Sequence, residues 1–303
     1  MAILVVGSVA FDTVQTPAGR ADGVLGGSAS YFSVAASFFA PVHLLAVVGE
    51  DFNPEHAEIF RARGVDTTAL SRVPGKTFRW SGVYGEDLNQ RTTLSTDLNV
   101  FEHFRPALPE RLRKVEFLFL ANIDPELQTS VLRQMKRPRL VACDTMNFWI
   151  SGKPRELREM LKEIDILLVN DEEARQIAGD PNIVRAARKI LGMGPSSLIV
   201  KRGEYGAAMY GNHSHFAVPA YPLLDPVDPT GAGDSFAGGF VGHLARIGTL
   251  NEAGVRQALI AGSVMASFCV EDFSLRRFRT LRPEEIRTRQ KEFSRMTEFE
   301  ELV

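Results

Sequence analysis

The chain has 303 residues, 45% of them hydrophobic, enough to bury one large core or two smaller ones. Its 35 Lys and Arg against 37 Asp and Glu leave a formal net charge of -2, so no global basic field holds a nucleic-acid backbone and any phosphate must be held locally. The opening "MAILVVGSVAFD" has no basic leader region, and no segment reaches the ~18 apolar residues of a membrane span. The expected setting is therefore cytoplasmic, with neither membrane nor nucleic acid as partner. Cys143 and Cys269 follow no metal-ligand spacing and are expected to be buried and reduced.

In chain order, short apolar runs alternate with helical patterns: "ILVVG", "SYFSVAASFFA", "VHLLAVVG" and "PEHAEIFRARG". That alternation predicts repeated βα units. Strands are expected again at "FLFLA", "RLVACD", "DILLVN" and "SLIVKRG", and their continuous apolar character suits a parallel sheet covered on both faces. Two segments break the rhythm. Residues 77–98 have strand-like runs on either side of the turn-rich "GEDLNQ", which predicts a second small sheet, joined by residues 11–24. Residues 206–229 have hairpin character and end in a Pro-rich approach to the next motif. No linker or repeat divides the chain, so residues 1–303 are expected to form a single domain, with an acidic, solvated tail from Glu298.

The next motif is "VDPTGAGDSFAGGF", after which Phe236, Phe240, Val241, Leu244 and Ile247 recur at helical spacing. A helix is expected from about Gly233. Gly231, Ala232 and Gly233 then bare successive backbone amides at a helix N-terminus, which attracts anions. Asp234 stands at the same place, where an acid competes with a bound phosphate for those amides. Phosphoryl transfer resolves the conflict: the carboxylate accepts a hydroxyl proton while the amides stabilise the transferring group. A tight turn in which Asp234 only stabilises the helix start remains open. Gly238 and Gly239 cost about 1 kcal/mol each inside a helix, so something is expected to approach the backbone there. A dinucleotide fingerprint and a Walker loop are both absent.

On this motif the chain resembles the ribokinase-like (phosphofructokinase B) carbohydrate and nucleoside kinases, whose C-terminal signature "DPTGAGDSFAGGFV" is similar to at every defined position. The resemblance implies an α/β fold of three αβα layers, Rossmann-like, with a small β-sheet lid from about 11–24 and 77–98. It extends to "GSVAFDTV" and "LGGSASYFSVAAS", implying that Asp12, Gly26 and Gly27 meet the acceptor, with Tyr31 beside them. "VNDEEA" resembles an Asn-x-x-Glu motif, implying that Asn170 and Glu173 organise Mg2+ through water; the same spacing also makes a capping box. "KRGEYG" is similar to the nucleotide loop, implying that Lys201, Gly203, Gly206 and Thr230 lie near ATP. The family's monovalent cation (K+) site would fall at Asp228, and its dimers often form through the lid.

Three departures bear on this. Tyr31 replaces a common Asn, "DTMNFW" replaces an Asp-Pro-Asn pattern and leaves Asp144 and Asn147 unassigned, and "ASFCVEDFSLRRF" lacks the glycine usual near the cation site. Phe11, Tyr31, Trp80 and Trp149 are either stacking surfaces or core. His213 and His215 receive no role. The resemblance implies an ATP-dependent kinase that phosphorylates a hydroxyl of a small sugar or polyol, with Asp234 as base. A nucleoside acceptor is the alternative, and a non-catalytic sensor the third.

Overall fold

Alternate residues of the strands turn opposite ways, and that sets the layering. In the computed structural model, which describes residues 1–212 and 214–298, Ile3 and Val5 of β1 (Ile3–Val6) enter one core while Leu4 and Val6 enter another. His213 and residues 299–303 of the acidic tail lie outside the described residues.

The remaining strands are β2 (Ala10–Thr16), β3 (Gly19–Gly26), β4 (Val42–Val48), β5 (Asp66–Arg72), β6 (Phe78–Tyr84), β7 (Arg91–Asp97), β8 (Phe117–Leu120), β9 (Leu140–Asp144), β10 (Ile166–Asn170), β11 (Ser197–Lys201), β12 (Ala207–Gly211) and β13 (His215–Val218). Nine of the thirteen strands among the described residues form one sheet in the order β13-β12-β11-β10-β9-β8-β1-β4-β5. It is parallel from β5 to β11, and β12 and β13 add an antiparallel edge. β1 is thus an interior strand, third from the β5 edge.

The helices are α1 (Ser28–Ala36), α2 (Glu58–Ala62), α3 (Pro125–Gln134), α4 (Asn147–Gly152), α5 (Pro154–Leu161), α6 (Asp171–Ala178), α7 (Ile183–Leu191), α8 (Ala232–Ile247), α9 (Glu252–Cys269), α10 (Arg276–Thr280) and α11 (Pro283–Thr297). Apolar residues of α1, α2 and α8 to α11 fill the core on one face of the sheet, and those of α3 to α7 fill the other. Phe32 of α1 stacks on Phe119 of β8 with ring centroids 4.0 Å apart, the kind of burial that stabilises by about 1.5–3 kcal/mol per side chain. Among the described residues no helix is long and apolar enough to cross a membrane. Both cysteines are buried and free.

The glycines inside α8 are the contact surface for its neighbours. A methyl at Gly238 would lie 2.5 Å from the Phe32 carbonyl of α1, and one at Gly239 would lie 2.6 Å from the Ala261 carbonyl of α9. Close backbone approach is what the sequence required of them, and α8 is held between α1 and α9.

The other four strands form a small sheet in the order β3-β2-β6-β7. It is mixed: β2 runs parallel to β6, while the β2–β3 and β6–β7 pairs are antiparallel. Its own apolar cluster of Val14, Ala21 and Tyr84 closes on Phe273, and Thr16 Oγ1 donates to the Val227 carbonyl at 2.8 Å. The small sheet is thereby fastened to the loop that leads into α8.

Candidate active site

Asp12 comes from β2, just past the C-terminal edge of β1, and is 4% exposed. Its carboxylate lies on Gly26: a methyl there would fall 1.9 Å from Asp12 Oδ2. Gly27 follows at φ 90 as the N-cap of α1, a conformation glycine adopts without penalty, and its N–H bonds to Asp12. The glycine pair thus makes a seat for one carboxylate at a helix start.

The start of α8 faces it. Gly231 is the N-cap at φ 77, and a methyl there would lie 2.3 Å from the Tyr31 ring. Tyr31 is 1% exposed, so its ring underlies the 231–233 loop and has no free face for stacking. What it offers is its hydroxyl, which is buried without a hydrogen-bond partner among the described residues. The helix begins at Ala232, one residue before the expected start.

Asp228 and Thr230 brace this loop. Asp228 Oδ1 accepts the Thr230 N–H at 2.9 Å and Oδ2 accepts the Ser274 N–H at 3.4 Å. The two bonds make Asp228 a tether between the loop and the segment before α10. Thr230 Oγ1 donates to the Tyr84 hydroxyl at 3.3 Å, a second tie to the small sheet.

The ends of three neighbouring strands supply the rest. Lys201 closes β11, and its Nζ lies 3.1 Å from Asp144 Oδ2 at the end of β9. The same ammonium is 3.0 Å from where a methyl on Gly233 would stand. Between these strands, Asn170 closes β10 and caps α6. Asn170 Oδ1 accepts the Glu173 N–H at 2.7 Å, and Glu173 Oε2 accepts the Asn170 N–H at 2.8 Å. The capping box is therefore present, and it leaves Glu173 Oε1 outside the cap.

Gly203, at φ 54 after β11, packs against Asn89 Oδ1 from the turn between β6 and β7. Gly206 shapes the same turn, where a methyl would lie 2.1 Å from the Val218 carbonyl.

Electrostatics unify the cluster. Burial, then the charge of Asp144, push the Asp234 carboxyl up to about 7, while Lys201 and Arg91 oppose the rise. Burial and then Asp228 push Asp12 up to about 7, and burial and then Asp144 do the same to Glu173. Burial lowers the Lys201 pKa, but Asp144, Glu173 and Asp234 outweigh it and the net shift is upward. Lys201 stays charged.

A carboxylate whose pKa is raised on folding binds more protons in the native than in the unfolded chain. Stability then falls as pH climbs from about 4 to about 7. Asp234→Asn, which cannot ionise, is expected to stabilise at pH 8 by on the order of 1–2 kcal/mol after allowing for residual exposure, raising Tm by about 2–8 °C, and to change little at pH 4. Thermal melts at both pH values check this; an equal gain at each would refute it.

The structure brings Asp12, Tyr31, Lys201, Glu173 and Asp234 to one end of the sheet. Arg91 and Tyr84 of the small sheet join them without any local sequence signal. Asp144 had one, as the charge closing an apolar strand. Phe11 is core, packed on Phe52 and His56 with centroids 6.1 and 4.6 Å away, while the Trp80 ring lies across Gly82 on the small sheet and is half-buried.

The pfkB family carbohydrate kinase model matches residues 3–279. A cytidine kinase of Thermococcus kodakarensis is 30% identical over 257 residues, covering 82% of this chain and 91% of that protein. Among solved structures, the nucleoside kinase of Methanocaldococcus jannaschii superposes with a TM-score of 0.76 at 20% identity, over 96% of this chain and 98% of the other. A ribokinase II structure from E.coli in complex with ATP and Mg2+ gives 0.75 at 20% identity, over 96% and 99%.

Proposed function

Because the chain belongs to the pfkB family of carbohydrate kinases, phosphotransferases with hydroxyl acceptors, we propose that it transfers the γ-phosphate of ATP to a hydroxyl of a nucleoside. The observation that carries the chemistry is the pair of crowded aspartates, Asp12 and Asp234, at the starts of two helices. Asp12 receives the acceptor's hydroxyls. Asp234 takes the proton of the reacting hydroxyl as its oxygen bonds the γ-phosphorus and the bond to the β-phosphate oxygen breaks, releasing ADP. The amides of residues 231–233 and the Lys201 ammonium stabilise charge on the moving group.

Mg2+, when bound with the nucleotide, neutralises phosphate charge. Glu173 Oε1, with Asn170 and Glu173 held in their cap, is suited to hold it through water. Among the described residues no group of three or more His, Cys, Asp or Glu has metal-holding geometry, which suits a magnesium bound chiefly by phosphates and water. Gly203, Gly206 and Thr230 belong to the nucleotide side of this proposal. The strand β7, exposed along its whole length at the sheet edge, suits a homodimer formed through the lid.

A sugar or polyol is the acceptor that the motifs alone favour. Support for a nucleoside comes from the identity with a cytidine kinase over most of the chain and from Trp80, the register partner of Asp12, whose ring lies across Gly82 on the small sheet. An aromatic face there is suited to a planar base. Turnover of ATP and Mg2+ against cytidine, uridine, adenosine, guanosine, ribose, fructose and inositol is expected to give the highest kcat/KM with a nucleoside. A higher value with a free sugar would return the assignment to sugars.

A further inference from the structure

We infer that Asp144 is a positioning residue that holds the Lys201 ammonium against the 231–233 loop, so that the phosphate site carries a fixed positive charge before the nucleotide arrives. This rests on the kinase reading above, to which it adds a role for Asp144.

Lys201 is surrounded by three carboxylates, Asp144, Glu173 and Asp234, and its direct partner decides what the site can do. An ammonium paired with Asp234 would tie up the carboxylate that must take the acceptor's proton. In the structure it pairs with Asp144 instead, at 3.1 Å, across the intervening strand β10. The pair is largely enclosed, with side-chain exposures of 16% and 7%, so salt and water screen it little.

Asp144 is itself tied down by hydrogen bonds. Its Oδ1 accepts the Thr145 N–H at 2.7 Å. Its carbonyl accepts Gln128 Nε2 at 3.0 Å, and the same amide donates to the Ala121 carbonyl at 2.9 Å. Gln128 is wholly buried, so it clamps the ends of β8 and β9 together beneath the carboxylate. The last part of the device is Gly233, whose missing side chain lets the ammonium lie 3.0 Å from where a methyl would stand.

Asp144→Asn keeps the shape and the Thr145 bond but removes the charge. Calorimetric binding of ADP with Mg2+ is expected to weaken by about 10-fold, within the usual range for coupled charged neighbours, while the acceptor KM stays unchanged. The loss should vanish in a Lys201→Met background, because it is through that ammonium that Asp144 acts on the bound phosphates. Equal losses in both backgrounds, or no loss in either, would overturn the positioning role while leaving the kinase reading intact. A wild-type chain that binds no nucleotide would overturn both.

Discussion

Asp234→Ala is expected to lower turnover by about 10²–10⁴-fold, the contribution typical of a positioned base, while nucleotide binding persists. The wild-type profile of kcat/KM should rise through a limb centred near pH 7, because burial and Asp144 hold the Asp234 carboxyl up at about 7 and only the ionised form accepts a proton. An ordinary carboxylate would place that limb near pH 4. In the alanine variant the rate should fall across the whole profile, and any limb left near pH 7 belongs to Asp12 or Glu173, which burial also holds up at about 7. Near-full turnover would remove Asp234 from the role of base.

Gly231→Val is the second large effect, and it acts on folding and chemistry together. At φ 77 a β-branched residue is strained by about 1–3 kcal/mol, and its Cβ would sit 2.3 Å from the Tyr31 ring, adding an overpacking cost of about 1–3 kcal/mol. Thermal melts should therefore show Tm lowered by roughly 5–15 °C. Turnover of the folded fraction should fall by about 10²-fold or more as the loop amides leave their places. Gly233→Ala is the contrast: its methyl meets only the flexible end of Lys201, at 3.0 Å, so stability should change little. If Gly231→Val melts and turns over like the wild type, the loop is not the rigid anion site described.

The buried strands were legible because burial on both sides makes "ILVV", "FLFL" and "ILLV" uniformly apolar, and the signature before α8 was legible because glycine and aspartate at a helix start are chemically unusual. The parallel pairing of β2 with β6 was not, since nothing local in either strand encodes its partner's direction. Arg91 and Asn89 were equally silent. Each reads as a polar residue of a turn until the small sheet folds across the 231–233 loop. Tyr31 looked like a surface for stacking on a ligand, and only three-dimensional packing reveals Gly231 above its ring.

The docking of α8 against α1 has a consequence for how the molecule comes into being. Asp12 leaves the ribosome long before Asp234, and they meet only when the glycine face of α8 seats on α1. β1 likewise waits for β8 before it has both neighbours. Such long-range pairings form late, after the loop entropy between them has been overcome. No N-terminal fragment, and no partly folded state with α8 undocked, presents both carboxylates. Activity therefore waits on the docking of α8, and a molecule in which that helix is still loose does not assemble the site.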